Sequence, residues 1–186
     1  MEITKTFYAP DRKTWHNWLK AHYRAEKEIW LISYRKETGK SRVSYNDAVE
    51  EALCFGWIDS TVKKIDIERT AQRFSPRRPG SSYSQINKER LRWLIARHKV
   101  RKDVLATLDQ IFLEQFEAPD DILKALKANE QVWRNFRQYS ESYQRIRIGF
   151  VEGARKRPME FQKRLNYLMR MTGRNKQFGF GIEKYF

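Results

Sequence analysis

Asp59 stands two residues after Trp57 and shortly before three arginines, Arg73, Arg77 and Arg78. Guanidinium groups and burial both move the pKa of a carboxylate, so this set suits a base, a ligand clamp or an ion pair that satisfies itself. Arg77 and Arg78 lie between Pro76 and Pro79, which hold the segment extended. Their planar forks match the oxygens of a phosphate or carboxylate two at a time. Gly80, Ser81 and Ser82 follow with backbone and hydroxyl donors. Trp57, Asp59, Arg73, Arg77, Arg78 and Ser81 are therefore the candidate binding set for a small phosphorylated or carboxylated molecule.

Other chemistry is sparse. No Gly-Lys-Ser or Gly-Lys-Thr follows a glycine-rich loop, so the phosphate cradle of a nucleotide hydrolase is missing. His16 and His22 are six residues apart, where a helical metal pair needs three or four, and His98 is remote; no metal and no cofactor are expected. Cys54 lies between Leu53 and Phe55, an apolar setting that raises a thiol pKa and favours an inert packing residue. No residue set names a reaction, which favours binding over catalysis.

The charge is strongly biased: 38 Lys and Arg against 23 Asp and Glu give a net +15 in 186 residues. Such a chain attracts polyanions, whether nucleic acid, anionic lipid or acidic protein. The bias concentrates from residue 134 onward, with thirteen basic residues against four acidic. Trp133, Tyr139 and Tyr143 would be the stacking rings of a nucleic-acid surface, but they fall at core spacing and no helix-turn-helix or RNA-binding signature accompanies them, so nucleic acid is the less favoured partner. One cysteine excludes an internal disulfide, and no apolar run reaches signal-peptide or membrane-span length. The default compartment is the cytoplasm.

The elements that must position these residues are readable from periodicity. Residues 3–8 alternate as a strand, and Asp11 caps a helix with Trp15, Trp18, Leu19 and Tyr23 on one face. Ile29, Trp30, Leu31, Ile32 and Tyr34 make a second strand. Ser44 and Asp47 open a helix whose small apolar face is Ala48, Val49, Ala52 and Leu53, and Gly56 stops it. Two strands follow, 57–65 and 69–74, around a turn at Asp66, Ile67 and Glu68. Strict alternation puts Trp57, Asp59, Thr61 and Lys63 on one face; the register, and so which arginine faces Asp59, stays open. Beyond Tyr83 the pattern is helical: one helix with Ile86, Leu91, Leu94 and Ile95, and another carrying Val104, Leu105, Leu108, Ile111, Phe112 and Phe116. Pro119 starts a string of short helices, with Ser140 as a cap and Pro158 opening the last, which ends at Gly173. The fold class is α+β: a small, mainly antiparallel sheet with packed helices, followed by an all-helical C-terminal region.

The run Tyr45-x-x-Ala48-Val49-x-x-Ala52-Leu53-Cys54-Phe55-Gly56-Trp57-Ile58-Asp59-Ser60, then Arg73-Phe74-x-Pro76-Arg77-x-Pro79-x-Ser81 and Ser84-x-x-Asn87, resembles the bacterial YdeI/OmpD-associated, or bacteriocin-protection, family. Trp18, Leu19, His22 and the Trp30-Leu31 strand also fit, and 118–172 resembles the helical OmdA module. The resemblance implies three parts: a YdeI-like α+β domain over 1–117, an OmdA-like helical module over 118–175, and an aromatic and glycine tail over 176–186. It adds Ser84 and Asn87 to the candidate binding residues. It also implies a role in protection against bacteriocins and antimicrobial peptides and an envelope-associated partner, without defining an activity. The module's usual Ala-Lys-x-x-Glu-Thr-Arg pattern is replaced here by Ala154-Arg155-Lys156-Arg157-Pro158-Met159-Glu160. An anionic or envelope-linked partner is thus the leading expectation.

Overall fold

A computed structural model describes residues 2–108, 115–179 and 181–185. In chain order the described elements are β1 (Thr6–Tyr8), α1 (Arg12–His22), β2 (Ile29–Tyr34), α2 (Tyr45–Cys54), β3 (Trp57–Lys64), β4 (Arg69–Pro76), α3 (Gln85–Ile95), α4 (Lys102–Leu105), α5 (Asp120–Lys127), α6 (Glu130–Gln138), α7 (Glu141–Glu152) and α8 (Pro158–Gly173). They form two compact units, the first Met1–Ser81 with Leu94–Leu108, the second Ser82–Trp93 with Asp109–Phe186. The α+β expectation holds, and no helix among the described residues is long and apolar enough to cross a membrane.

The first unit is a four-stranded sheet in the order β1-β2-β4-β3. β1 runs parallel to β2, as a strand returning after a helical crossover can, and the other two pairings are antiparallel. β1 is shorter than the alternation of 3–8 predicts. Asp11 caps α1 by accepting from the Thr14 N–H at 2.7 Å, and Ser44 caps α2 by accepting from the Asp47 N–H at 3.1 Å. Gly56 takes a φ of 72° directly after α2, the left-handed turn that lets the chain leave into β3. One sheet face packs on α1: Trp15 stacks on Trp18 with centroids 5.3 Å apart and meets Phe74 at 5.2 Å, and Trp18 meets Trp57 edge-on at 5.8 Å. Trp15 and Trp57 donate their indole N–H groups to the carbonyls of Ala48 and Tyr23, each at 3.0 Å, so both rings are buried without an orphaned donor.

The hairpin of β3 and β4 departs from strict alternation. Asp59 pairs with Phe74, but the next aligned pair is Val62 with Gln72, so β3 carries one extra residue across a bulge. The bulge turns Lys63 to the face opposite Trp57 and Asp59, where its ammonium lies 5.9 Å from the Trp30 ring centroid. The expected shared face of Trp57, Asp59, Thr61 and Lys63 is therefore broken in the middle.

The amphipathic helix expected from Val104 to Phe116 is much shorter. α4 ends at Leu105, 106–108 form a turn, Phe116 is in irregular structure, and Ile111 and Phe112 lie outside the described residues.

In the second unit, α5 to α8 surround a core of Ile122, Leu126, Val132, Phe136, Ile148, Val151 and Leu168. Ser140 caps α7 and Pro158 opens α8, as their sequence positions predict. The tail is docked: Ile182 and Tyr185 are buried against Ile146, Ile86 and Trp93, with a short 3-10 turn at Glu183–Tyr185.

Candidate functional site

The predicted binding residues of the first unit do not converge. Asp59 projects to the helix-covered face, where its carboxylate accepts from the Tyr45 hydroxyl at 2.9 Å and the Gln72 amide at 3.1 Å. Arg73 pairs with Trp30 across the sheet and so projects from the other face, and its guanidinium binds Glu28 at 2.6 and 2.8 Å. Arg77 donates to the Ser81 carbonyl at 3.0 Å and hydroxyl at 3.1 Å, closing a turn in which Ser81 donates to the Arg78 carbonyl at 2.7 Å. Gly80 makes that turn possible with a φ of 71°. Arg78 is exposed, and Trp57 is core. Ser84 and Asn87 belong to the second unit, where the Ser84 carbonyl starts α3 by accepting from Lys88 and the buried Asn87 amide accepts from Arg90 at 2.9 Å. Asp59 thus has neutral hydrogen-bond donors, and the expected Asp59–arginine pair is not formed.

A buried polar network that the periodicity did not reveal lies between α1 and α2. Glu50 is fully buried and Glu51 nearly so. Arg12 bridges them, donating from Nη1 to Asp47 at 2.7 Å and Glu50 at 2.9 Å and from Nε to Glu51, while His16 Nδ1 sits 2.8 Å from Glu51. α2 is buried nearly all round from Ala48 to Cys54, so two consecutive glutamates there had to find a cation. The signal was available: Glu50 and Glu51 sit among Val49, Ala52 and Leu53 with no room for a solvent face. Cys54 is buried beside them, and desolvation, reinforced by Glu51, pushes its thiol up to about 12. That thiol is inert, as its apolar neighbours predict.

The second unit offers a more accessible arrangement. Phe150 of α7 and Met159, Glu160, Lys163, Arg164, Tyr167 and Arg170 of α8 line an open cleft of about 630 Å³. Met159 is 87% exposed and Phe150 37% exposed, and the two lie side by side in this cleft. Arg164 packs its guanidinium 4.4 Å from the Phe150 ring centroid and donates to Glu160 at 2.8 Å and to the Phe150 carbonyl at 2.8 Å. That pairing holds the Glu160 carboxyl below its ordinary pKa and uses the cleft's one carboxylate. Lys163 and Arg170 are exposed and form no salt bridge among the described residues, so the cleft pairs apolar side chains with a positive rim. The three- and four-residue spacings of α8 explain it: Phe161, Leu165 and Leu168 take the core side and leave 159, 163, 166 and 170 outward.

The rings expected to stack on nucleic acid are core residues here. Tyr143 is fully buried, and Trp133 and Tyr139 pack against the helical core. Several of the basic residues beyond 134 are also neutralised: Arg134 by Glu130, Arg145 by Glu89 and Arg155 by Asp121 and Glu152.

Two family models match the chain. Residues 7–107, the sheet with its helices, match a domain of unknown function (DUF8412). Residues 115–175, the helices around the cleft, match OmdA, described as "Bacteriocin-protection, YdeI or OmpD-Associated". No curated protein and no solved structure matches it. The chain therefore belongs to the DUF8412 family through its N-terminal sheet unit and carries, in its C-terminal helices, the OmdA module of the YdeI/OmpD-associated family.

Proposed function

We propose that the chain takes part in protecting bacterial cells against bacteriocins and antimicrobial peptides by binding an anionic partner of the cell envelope, from the cytoplasmic side. The family description of the OmdA module supports the protective role, and the cleft of α7 and α8 supports the mode of action. The single observation that carries it is the pairing of exposed apolar side chains, Met159 and Phe150, with Lys163 and Arg170, two cations that form no salt bridge among the described residues. Apolar contact and basic charge together are what binds an anionic amphiphile or an anionic membrane surface.

A strain lacking the gene, challenged with a cationic antimicrobial peptide, tests the reading. Survival should fall, return with the wild-type gene and fail to return with a Lys163→Glu/Arg170→Glu variant expressed at the same level. Unchanged survival of the deletion strain, with expression verified in its parent, counts against the role; full rescue by the variant counts against the cleft.

The reading of Asp59, Arg73 and Arg77 as a site for a small phosphorylated or carboxylated molecule has less support, because Asp59 and Arg73 project from opposite sheet faces. Nucleic-acid binding is also the weaker reading, with its stacking rings packed inward.

A further inference from the structure

Arg147 lies in the middle of α7 with 4% of its surface exposed; its Nε is buried without a hydrogen-bond partner, and it forms no salt bridge among the described residues. Aromatic rings surround it instead: the centroids of Phe178, Tyr143 and Phe150 lie 4.4, 5.1 and 5.9 Å from Cζ. Phe178 is held over the guanidinium by its own N–H, which donates to the Tyr143 hydroxyl at 2.9 Å, and by edge-on contact with Tyr167 at 4.7 Å. Gly179, at a φ of 112°, brings backbone so close that a Cβ there would stand 2.9 Å from Nη2. The ionisable groups acting on Arg147 are the phenols of Tyr143 and Tyr167, and desolvation lowers its pKa below the ordinary guanidinium value.

A buried guanidinium without an anion is expensive, and ring faces offset only part of that cost because they give its five N–H groups no in-plane acceptor. Arg12, which is only partly buried, has carboxylates built in around it. Arg147 has none; aromatic rings wall its guanidinium, and the backbone of Gly179 stands beside Nη2 without a side chain. We propose that Arg147 is the specificity element of an oxyanion-binding site, taking a carboxylate or phosphoryl group whose oxygens lie in the guanidinium plane while Tyr143, Phe150 and Phe178 exclude water. The site is separate from the positive rim at Lys163 and Arg170, although Phe150 walls both, so the two can fail independently.

The test uses the full chain in a chloride buffer of constant ionic strength, with inorganic phosphate in one arm and benzoate in the other, read by calorimetric titration and by Tm. Saturable heat and a rising Tm are expected in at least one arm; the arm that responds tells phosphoryl from carboxylate recognition. Arg147→Met should lose the response entirely, while Lys163→Glu/Arg170→Glu should keep it. Arg147→Lys retains the charge but loses the planar fork, and should need at least tenfold more anion, which keeps the question answerable if the methionine variant does not fold. The proposal is overturned if neither anion binds the wild-type chain, if Arg147→Met responds as the wild type does, or if Arg147→Lys binds with an unchanged midpoint.

Discussion

A Cβ at position 149 would stand 2.3 Å from the Cβ of Gln85, so α3 and α7 meet where residue 149 has no side chain. The obstructing atom is attached directly to the α3 backbone and cannot swing away. Gly149→Ala should therefore lose about 1–3 kcal/mol by overpacking, despite the higher helix propensity of alanine. Gly173 at the end of α8 is the contrasting case: its added Cβ would meet Val132 at 3.5 Å, an ordinary contact. Gly173→Ala should be neutral or gain up to about 1 kcal/mol. Urea denaturation of the two variants checks both signs.

Arg12 bridges Asp47, Glu50 and Glu51, and Glu50 is fully buried. Arg12→Met leaves buried carboxylate charge poorly compensated and should cost about 3–5 kcal/mol at pH 7. Arg12→Lys, which keeps the charge but not the planar fork, should recover part of the loss, as lost packing alone would not predict. Urea denaturation of wild type and both variants at pH 7 measures it.

These two relationships mark what the sequence could and could not disclose. Caps at Asp11, Ser44 and Ser140 and the strand at Ile29–Tyr34 were legible because local hydrogen bonding and period-two burial write them into neighbouring residues. The bulge after Asp59 was not, since an extra residue in one strand is defined only against its partner, and it reversed the face of Lys63. The Asp59 and arginine cluster failed for the same reason: nearness in sequence says nothing of which sheet face a residue takes until the register is known. The cleft was half legible. The helix from Pro158 to Gly173 was predicted, but the exposed set of Met159, Lys163 and Arg170 acquires meaning only with Phe150 brought alongside.

Glu28 is held below its ordinary pKa first by the Thr4 hydroxyl and then by Arg73. A carboxyl with a depressed folded pKa contributes stability that is fully present above its unfolded pKa, near 4.3, and is lost as pH falls through the folded value. Wild-type stability should therefore fall more steeply below about pH 4 than that of Glu28→Gln, which has no proton to gain at that position. Because Glu28 keeps substantial solvent contact, the difference should be modest, at most about 1 kcal/mol. Urea midpoints taken from pH 6 to pH 3 test it; parallel curves would remove the contribution.

Cys54 is buried and its thiol is pushed up to about 12, chiefly by desolvation. At pH 8 almost no thiolate is present, and access is closed as well. Iodoacetamide should leave the native chain unmodified on a timescale that labels the urea-unfolded chain completely, and Cys54→Ala should preserve any binding activity. Rapid labelling of the native state by mass spectrometry would show that α2 opens locally.

The cleft makes a quantitative prediction for membranes. Each basic residue near an anionic surface contributes about 1 kcal/mol at moderate salt. Lys163 and Arg170 form no salt bridge among the described residues, so replacing both by alanine should weaken partition onto phosphatidylglycerol vesicles by about 2 kcal/mol, roughly thirtyfold. Met159→Ala removes apolar contact without changing charge, so it should weaken binding while leaving the salt dependence intact. Lys163→Ala/Arg170→Ala should instead flatten the salt dependence, because fewer screened charges remain at the surface. Sedimentation with phosphatidylglycerol and phosphatidylcholine vesicles over a salt series separates the two contributions. If neither variant changes partition, the cleft of α7 and α8 does not face the membrane and the positive rim serves another anion.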